Sequence, residues 1–134
     1  MSIDIELLDT QSSQNILIVE DDAPDMAFVR KKITDLWPNC KITSVESVRD
    51  AYDACNNKKF DMILLDLNLP DGFGPRTVED IRRIEKTIPI IVITGIITPQ
   101  TIDEALKLGA TEVISKASIG NSDFIEILEK NRRK

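Results

Sequence analysis

The chain contains no histidine. That absence removes imidazole acid–base catalysis, His-ligated zinc, and the Ser-His-Asp and Cys-His arrangements of nucleophilic catalysis. Any chemistry must run on carboxylates, hydroxyls and lysine. Cysteine is scarce as well: Cys40 and Cys55 are two thiols only, far below the density of a secreted scaffold, and Cys55 falls on an apolar helix face. A disulfide is the lesser reading. No apolar run reaches membrane-spanning length. The first residues, MSIDIELLDT, carry Asp4, Glu6 and Asp9 where a secretory signal carries positive charge. A cytoplasmic location with no membrane partner is therefore expected. A net charge of -6 repels phosphate backbones, so no nucleic-acid partner is expected either. The basic end KNRRK is short, and its four cations read as compensation for the negative end of a last helix.

What is present is an ordinary globular composition, 42% hydrophobic and 30% charged over 134 residues, which suits one domain with a real core. Residues 1–14 are polar and weakly patterned, ending in TQSSQ, and read as an N-terminal extension to a domain over 15–134. Its IDIELL could pack against the domain. From Asn15 onward the pattern alternates. ILIV (16–19), FDMILL (60–65), IPIIVIT (88–94) and EVIS (112–115) are short and β-branched, as buried parallel strands are, with a weaker run, CKITSV, at 40–45. Between them lie helical spacings. Met26, Val29, Ile33 and Leu36 follow Pro24; Val48, Ala51, Tyr52 and Cys55 follow a Ser47 cap. Val78, Ile81 and Ile84 mark a third helix. Ile102, Ala105 and Leu106 mark a fourth, opened by Thr98 and Pro99 and stopped by Gly109, and Phe124, Ile127 and Leu128 mark a fifth behind Ser122. Strict alternation with short connections predicts an α/β fold, a doubly wound parallel sheet with helices on both faces.

In such sheets the ligand site lies beyond the carboxyl ends of the strands, where strand order reverses. The first strand runs into Glu20, Asp21 and Asp22, the third into Asp66, the fourth ends on Thr94 and the fifth leads to Lys116. Singly each has a plain explanation, since Asp22 can cap a helix and an Asp after a strand is often a turn former. Together they put the polar residues at one sheet edge. Converging carboxylates must share a proton or recruit a cation. An oxygen-only donor set suits Mg²⁺, with Mn²⁺ as the alternative, rather than zinc. Asp21 and Asp66 are the expected direct ligands, Glu20 an outer partner through water, and the Asn68 carbonyl a further ligand. A carboxylate in that setting can attack phosphorus and form an aspartyl phosphate. Charge on the transferred group is then met by the metal, by the Lys116 ammonium, and by the Thr94 hydroxyl with nearby N–H groups.

These residues resemble a family. From Asn15 to about Arg132 the chain is similar to response-regulator receiver domains: the acidic pair Glu20 and Asp21, the loop DLNLPDGFG from Asp66 through Pro70 to Gly74, ITG around Thr94, and ISK ending at Lys116. The resemblance implies a flavodoxin-like five-stranded sheet of order 2-1-3-4-5, with Asp66 as phospho-acceptor, Glu20 and Asp21 as magnesium-binding acids, Thr94 as switch hydroxyl and Lys116 as phosphate-sensing cation. It implies a sensor histidine kinase or a histidine phosphotransfer protein as donor, docking beside the first helix, and an unidentified downstream protein partner. Two positions depart from the pattern. Ala117 follows the lysine where the family has proline; a cis bond before alanine costs about 3 kcal/mol, so a trans bond and a rearranged loop are expected. Val113 stands where the family has Tyr or Phe, so a switch that rotates an aromatic ring cannot work in that form. In TGIIT, Ile96 and Ile97 either close the core or act outward, Ile96 by overhanging the phosphorylated Asp66. No output module follows Arg132, which suggests a stand-alone receiver or a domain cut from a longer protein.

The resulting expectation is a self-directed phosphorylation switch, not an enzyme with turnover. One alternative is a pseudo-receiver, a phosphorylation-independent binding module on the same fold. Another is a phosphatase of the haloacid-dehalogenase type. That class places a general acid–base two residues after its nucleophile, where this chain has Asn68, which cannot exchange protons.

Overall fold

Alternating apolar runs and capped helical segments fold as the pattern predicts. The computed structural model describes residues 13–95 and 97–133. In chain order the elements are β1 (Asn15–Val19), α1 (Ala23–Leu36), β2 (Lys41–Val45), α2 (Val48–Asn57), β3 (Met62–Leu65), α3 (Arg76–Arg82), β4 (Ile90–Thr94), α4 (Pro99–Lys107), β5 (Glu112–Ser115), a 3-10 turn (Lys116–Ser118) and α5 (Ser122–Lys130). The strands form one parallel sheet in the order β2-β1-β3-β4-β5. Strand order therefore reverses between β1 and β3, which places the crevice over their carboxyl ends. Among the described residues, no helix is long and apolar enough to cross a membrane.

Apart from Asn15 at the start of β1 and Thr94 at the end of β4, the central strands are apolar, because both sheet faces are covered. Period-two alternation then sorts their side chains into two cores. Leu17, Val19, Ile63, Leu65 and Val92 pack against α2, α3 and α4, while Ile16, Ile18, Met62, Leu64, Ile91 and Ile93 pack against α1 and α5. Truncating one of these to Ala removes contacts worth about 3 kcal/mol.

Local chemistry fixes the helix starts. The side chains of Asp22, Ser47 and Thr98 accept the N–H groups of Asp25, Asp50 and Thr101, as N-caps do. The last helix differs from expectation: Asn121 is its cap, accepting from Asp123 N–H, and Ser122 is its first helical residue. Ile84 lies in the turn after α3, which ends at Arg82. The guanidinium of Arg82 donates to the carbonyls of Gly109, Glu85 and Ile88, tying that turn to the end of α4.

IDIELL and residues 1–12 lie outside the described residues. Gln14, assigned to the extension from sequence, is buried; its amide donates to the Arg133 carbonyl at 3.1 Å and accepts Arg133 N–H at 3.2 Å. The basic end does more than offset a helix dipole. Lys130 pairs with Glu112 at 3.2 Å, and Arg133 reaches across to Asp61 at 2.7 Å. Cys40 and Cys55 are free thiols.

Candidate phosphoryl and metal site

Sheet hydrogen bonding continues past the ends of β1 and β3 and brings their acids together. Glu20 N–H donates to the Val45 carbonyl and Asp66 N–H to the Val19 carbonyl, both at 3.0 Å. Asp22 then turns the chain into α1 by capping it, with Pro24 in the first turn. Carboxylate oxygens of Glu20, Asp21 and Asp66 lie within 4.8 Å of one another. Glu20 and Asp66 are buried, 4% and 3% exposed, and Asp21 faces solvent. Neighbouring N–H groups hold the buried pair: Asp22 N–H donates to Glu20 Oε2 and Asn68 N–H donates to Asp66 Oδ1, each at 3.1 Å.

Lys116 enters from the other side of the crevice. The peptide bond to Ala117 is trans, as is every peptide bond among the described residues, and the chain turns immediately into the 3-10 turn, where Ser115 Oγ accepts Ala117 N–H at 3.1 Å. The ammonium Nζ lies 2.8 Å from Glu20, 2.7 Å from Asp25 and 3.3 Å from Asp66. Thr94 pairs with Ser115 in the β4–β5 register. It lines a hollow of about 430 Å³ together with Asp66, Asn68, Gly74, Thr101 and Lys116.

The electrostatics follow from this crowding. Burial pushes the Glu20 carboxyl from 4.5 up to about 7; Asp66 adds to the rise and the bond from Lys116 opposes it. Burial also works against charge on Lys116, but the bonds to Asp25 and Glu20 and the charge of Asp66 outweigh it, so its pKa rises above the usual lysine value. Excess negative charge in a half-dry pocket, presented on oxygen atoms alone, fits a hard divalent cation of the Mg²⁺ or Mn²⁺ kind.

The loop after Asp66 is held at both ends. Asp71 accepts the N–H groups of Val48 at 2.8 Å and Arg49 at 3.1 Å, an acid on the first turn of α2. Those bonds, led by the one from Val48, hold its carboxyl below the usual aspartate value. Thr77 Oγ1 accepts Phe73 N–H at 3.0 Å, and Gly74 takes φ +60, a conformation that favours glycine.

Every site residue expected from sequence thus reaches one end of the sheet: Glu20, Asp21 and Asp66 as a cluster, Lys116 bonded to two of them, Asn68 bonded to Asp66, and Thr94 on the wall. Two residues were not anticipated. Asp25 reads as an ordinary acid in a helix's first turn, yet a first turn that follows β1 necessarily stands over the strand ends. Asp71 reads as a turn former in PDG, and nothing local reveals its partner. Ile96 lies outside the described residues. Ile97 is half-buried and lines a second hollow of about 510 Å³ with Val113, Ile114 and Ile127, beside β5 and α5.

The family described as response regulator receiver domain matches residues 16–129. Among curated relatives, the transcriptional regulatory protein KdpE of Staphylococcus aureus is 37% identical over 101 residues, covering 75% of this chain and 42% of that protein. The luminescence regulatory protein LuxO of Vibrio campbellii is 33% identical over 99 residues, covering 74% and 21%. The chain spans about a quarter, 24%, of the transcriptional regulatory protein ZraR of Escherichia coli. Among solved structures, a two-component response regulator from Clostridium difficile superposes with a TM-score of 0.76 at 25% identity, covering 87% of this chain and 93% of that one. A CheY-like receiver domain protein from Methanospirillum hungatei gives 0.77 at 22% identity, covering 87% and 91%, a likeness of fold.

Proposed function

We propose, from the premise that this chain belongs to the receiver-domain family of response regulators in two-component systems, that Asp66 accepts a phosphoryl group and that its phosphorylation switches partner binding. The observation that carries this reading is the cluster of Glu20, Asp21 and Asp66 oxygens within 4.8 Å, with Lys116 bonded to two of the three acids. A cation held by Asp21 and Asp66, with the Asn68 carbonyl as a further ligand and Glu20 behind, would supply charge neutralisation for the incoming phosphoryl oxygens.

The chain's own residues do the rest. An Asp66 carboxylate oxygen bonds to phosphorus as the phosphorus–nitrogen bond of a phosphohistidine donor breaks, the electron pair leaving on the imidazole nitrogen. Asn68 N–H steadies the other Asp66 oxygen. Lys116 takes one phosphoryl oxygen and the Thr94 hydroxyl another. The donor in this reading is a sensor histidine kinase or a histidine phosphotransfer protein, and the output is a change in affinity for a downstream protein. The receiver unit covers residues 15–134, with Gln14 tied to its end and residues 1–14 otherwise an extension. Its free thiols, Cys40 and Cys55, suit the cytoplasm.

Incubation with a small-molecule phosphodonor and Mg²⁺ tests the reading by intact mass. The wild type is expected to gain one labile phosphoryl group and Asp66→Asn none. A wild type that stays unmodified, or an Asp66→Asn variant that is modified equally, removes it.

A further inference from the structure

Resting on that reading, we propose that Asp25 is a positioning residue that receives the Lys116 ammonium when a divalent cation occupies the acidic cluster. The three contacts of Lys116 are not equivalent. Those to Glu20 and Asp66 run inward to acids only 4% and 3% exposed, two members of the cluster that converges on the candidate cation position. The contact to Asp25 runs outward to a side chain 41% exposed at the rim, and at 2.7 Å it is the shortest of the three. Without a divalent cation the ammonium serves as the counter-charge of the buried pair. A divalent cation takes over that service and repels the ammonium, whose attraction to Glu20 and Asp66 falls as theirs is neutralised. Asp25 does not take part in the cluster, so its charge stays available. Its backbone is fixed, because Asp22 caps its N–H at 2.9 Å in the first turn of α1.

A differential cost follows. In the metal-free protein, loss of Asp25 leaves Lys116 two partners; in the metal-bound protein it leaves the ammonium none of the three carboxylates uncommitted. Removing the Asp25 charge must therefore penalise the bound state more than the free state.

The experiment is a double-mutant cycle on Mg²⁺ affinity, read from the Asn68 amide resonance of unphosphorylated protein titrated with MgCl₂ alone. Asp25→Asn is expected to weaken Mg²⁺ binding by about fivefold. In a Lys116→Met background the same substitution is expected to change it by less than about twofold, since a pairwise role vanishes with its partner. Asp25→Glu, which keeps the charge and the helical turn, is expected to retain most of the wild-type affinity. In metal-free protein, Asp25→Asn is also expected to shift the Lys116 Nζ resonance. Equal weakening in both backgrounds would make Asp25 a general negative charge near the site and overturn the proposal. No weakening in the wild-type background would overturn it too. Failure of the receiver reading looks different: the wild type then shows no Mg²⁺ response and no phosphate uptake, whatever stands at position 25.

Discussion

Asp61 and Asp66 flank the same strand, both nearly buried, and the protein treats them in opposite ways. Asp61, before β3, is fully employed: one oxygen accepts Asn15 N–H at 2.8 Å and the other meets Arg133 at 2.7 Å. Asp66, after β3, faces other acids, and its bonds come from Asn68 N–H at 3.1 Å and from a Lys116 ammonium at 3.3 Å that it shares with Glu20 and Asp25. A satisfied buried carboxylate fastens the structure. A crowded one is left with charge to spend on something that binds. The same contrast separates the two ends of the sheet, with Arg82, Gln14 and Arg133 stitching loops at one and the acids gathering at the other.

Stability measurements on substitutions at the two positions break or sharpen the contrast. Asp61→Ala is expected to destabilise the fold by about 2 kcal/mol, because it strands Asn15 N–H and removes the partner of the Arg133 side chain, while phosphate uptake persists. Asp66→Asn is expected to leave stability unchanged or raise it, since one of three converging charges disappears. Denaturant melts of both variants at neutral pH check this, and comparable losses at the two positions would erase the distinction.

A smaller effect is expected with pH. The Glu20 carboxyl titrates near 7 in the folded protein and near 4.5 when unfolded. Between those values the folded state holds a proton that the unfolded chain has released. Metal-free stability should therefore fall as pH rises from about 4.5 to about 7 and level off above. Mg²⁺ favours the ionised form, so the decline should shrink when it is present. Thermal melts across that range with MgCl₂ or a chelator read both limbs.

The smallest expected effect divides Asp61's two partners. Arg133 is 67% exposed, so solvent screens its pairing with Asp61. Arg133→Ala should cost only about 0.5 kcal/mol, which assigns most of the anchoring to Asn15 N–H. A loss as large as that of Asp61→Ala in the same melts would reverse the assignment.

Much of the fold was legible in the sequence. The runs ILIV and MILL are short, apolar and β-branched or leucine-rich, and their alternation with helix-spaced residues behind Asp22, Ser47 and Thr98 yields the observed element order. The acids and the lysine at the strand ends were legible because a polar residue that ends a buried strand stands out against its neighbours. The Asn121 cap was missed because Ser122, one position on, is an equally good cap by type.

Residue types, periods and caps act over a few positions, so the chain alone determined its strands, its helices and which polar groups end them. Contacts between distant positions belong to the tertiary structure. Asp25 and Lys116 stand 91 residues apart in sequence, Asn15 and Asp61 46 apart, and Val48 and Asp71 23 apart. No local pattern encodes such a pairing, because it exists only once the sheet has set the strand ends side by side. Folding therefore decided which acid is tied to a partner and which remains to bind, through the distances at which charges meet in a space only partly open to water.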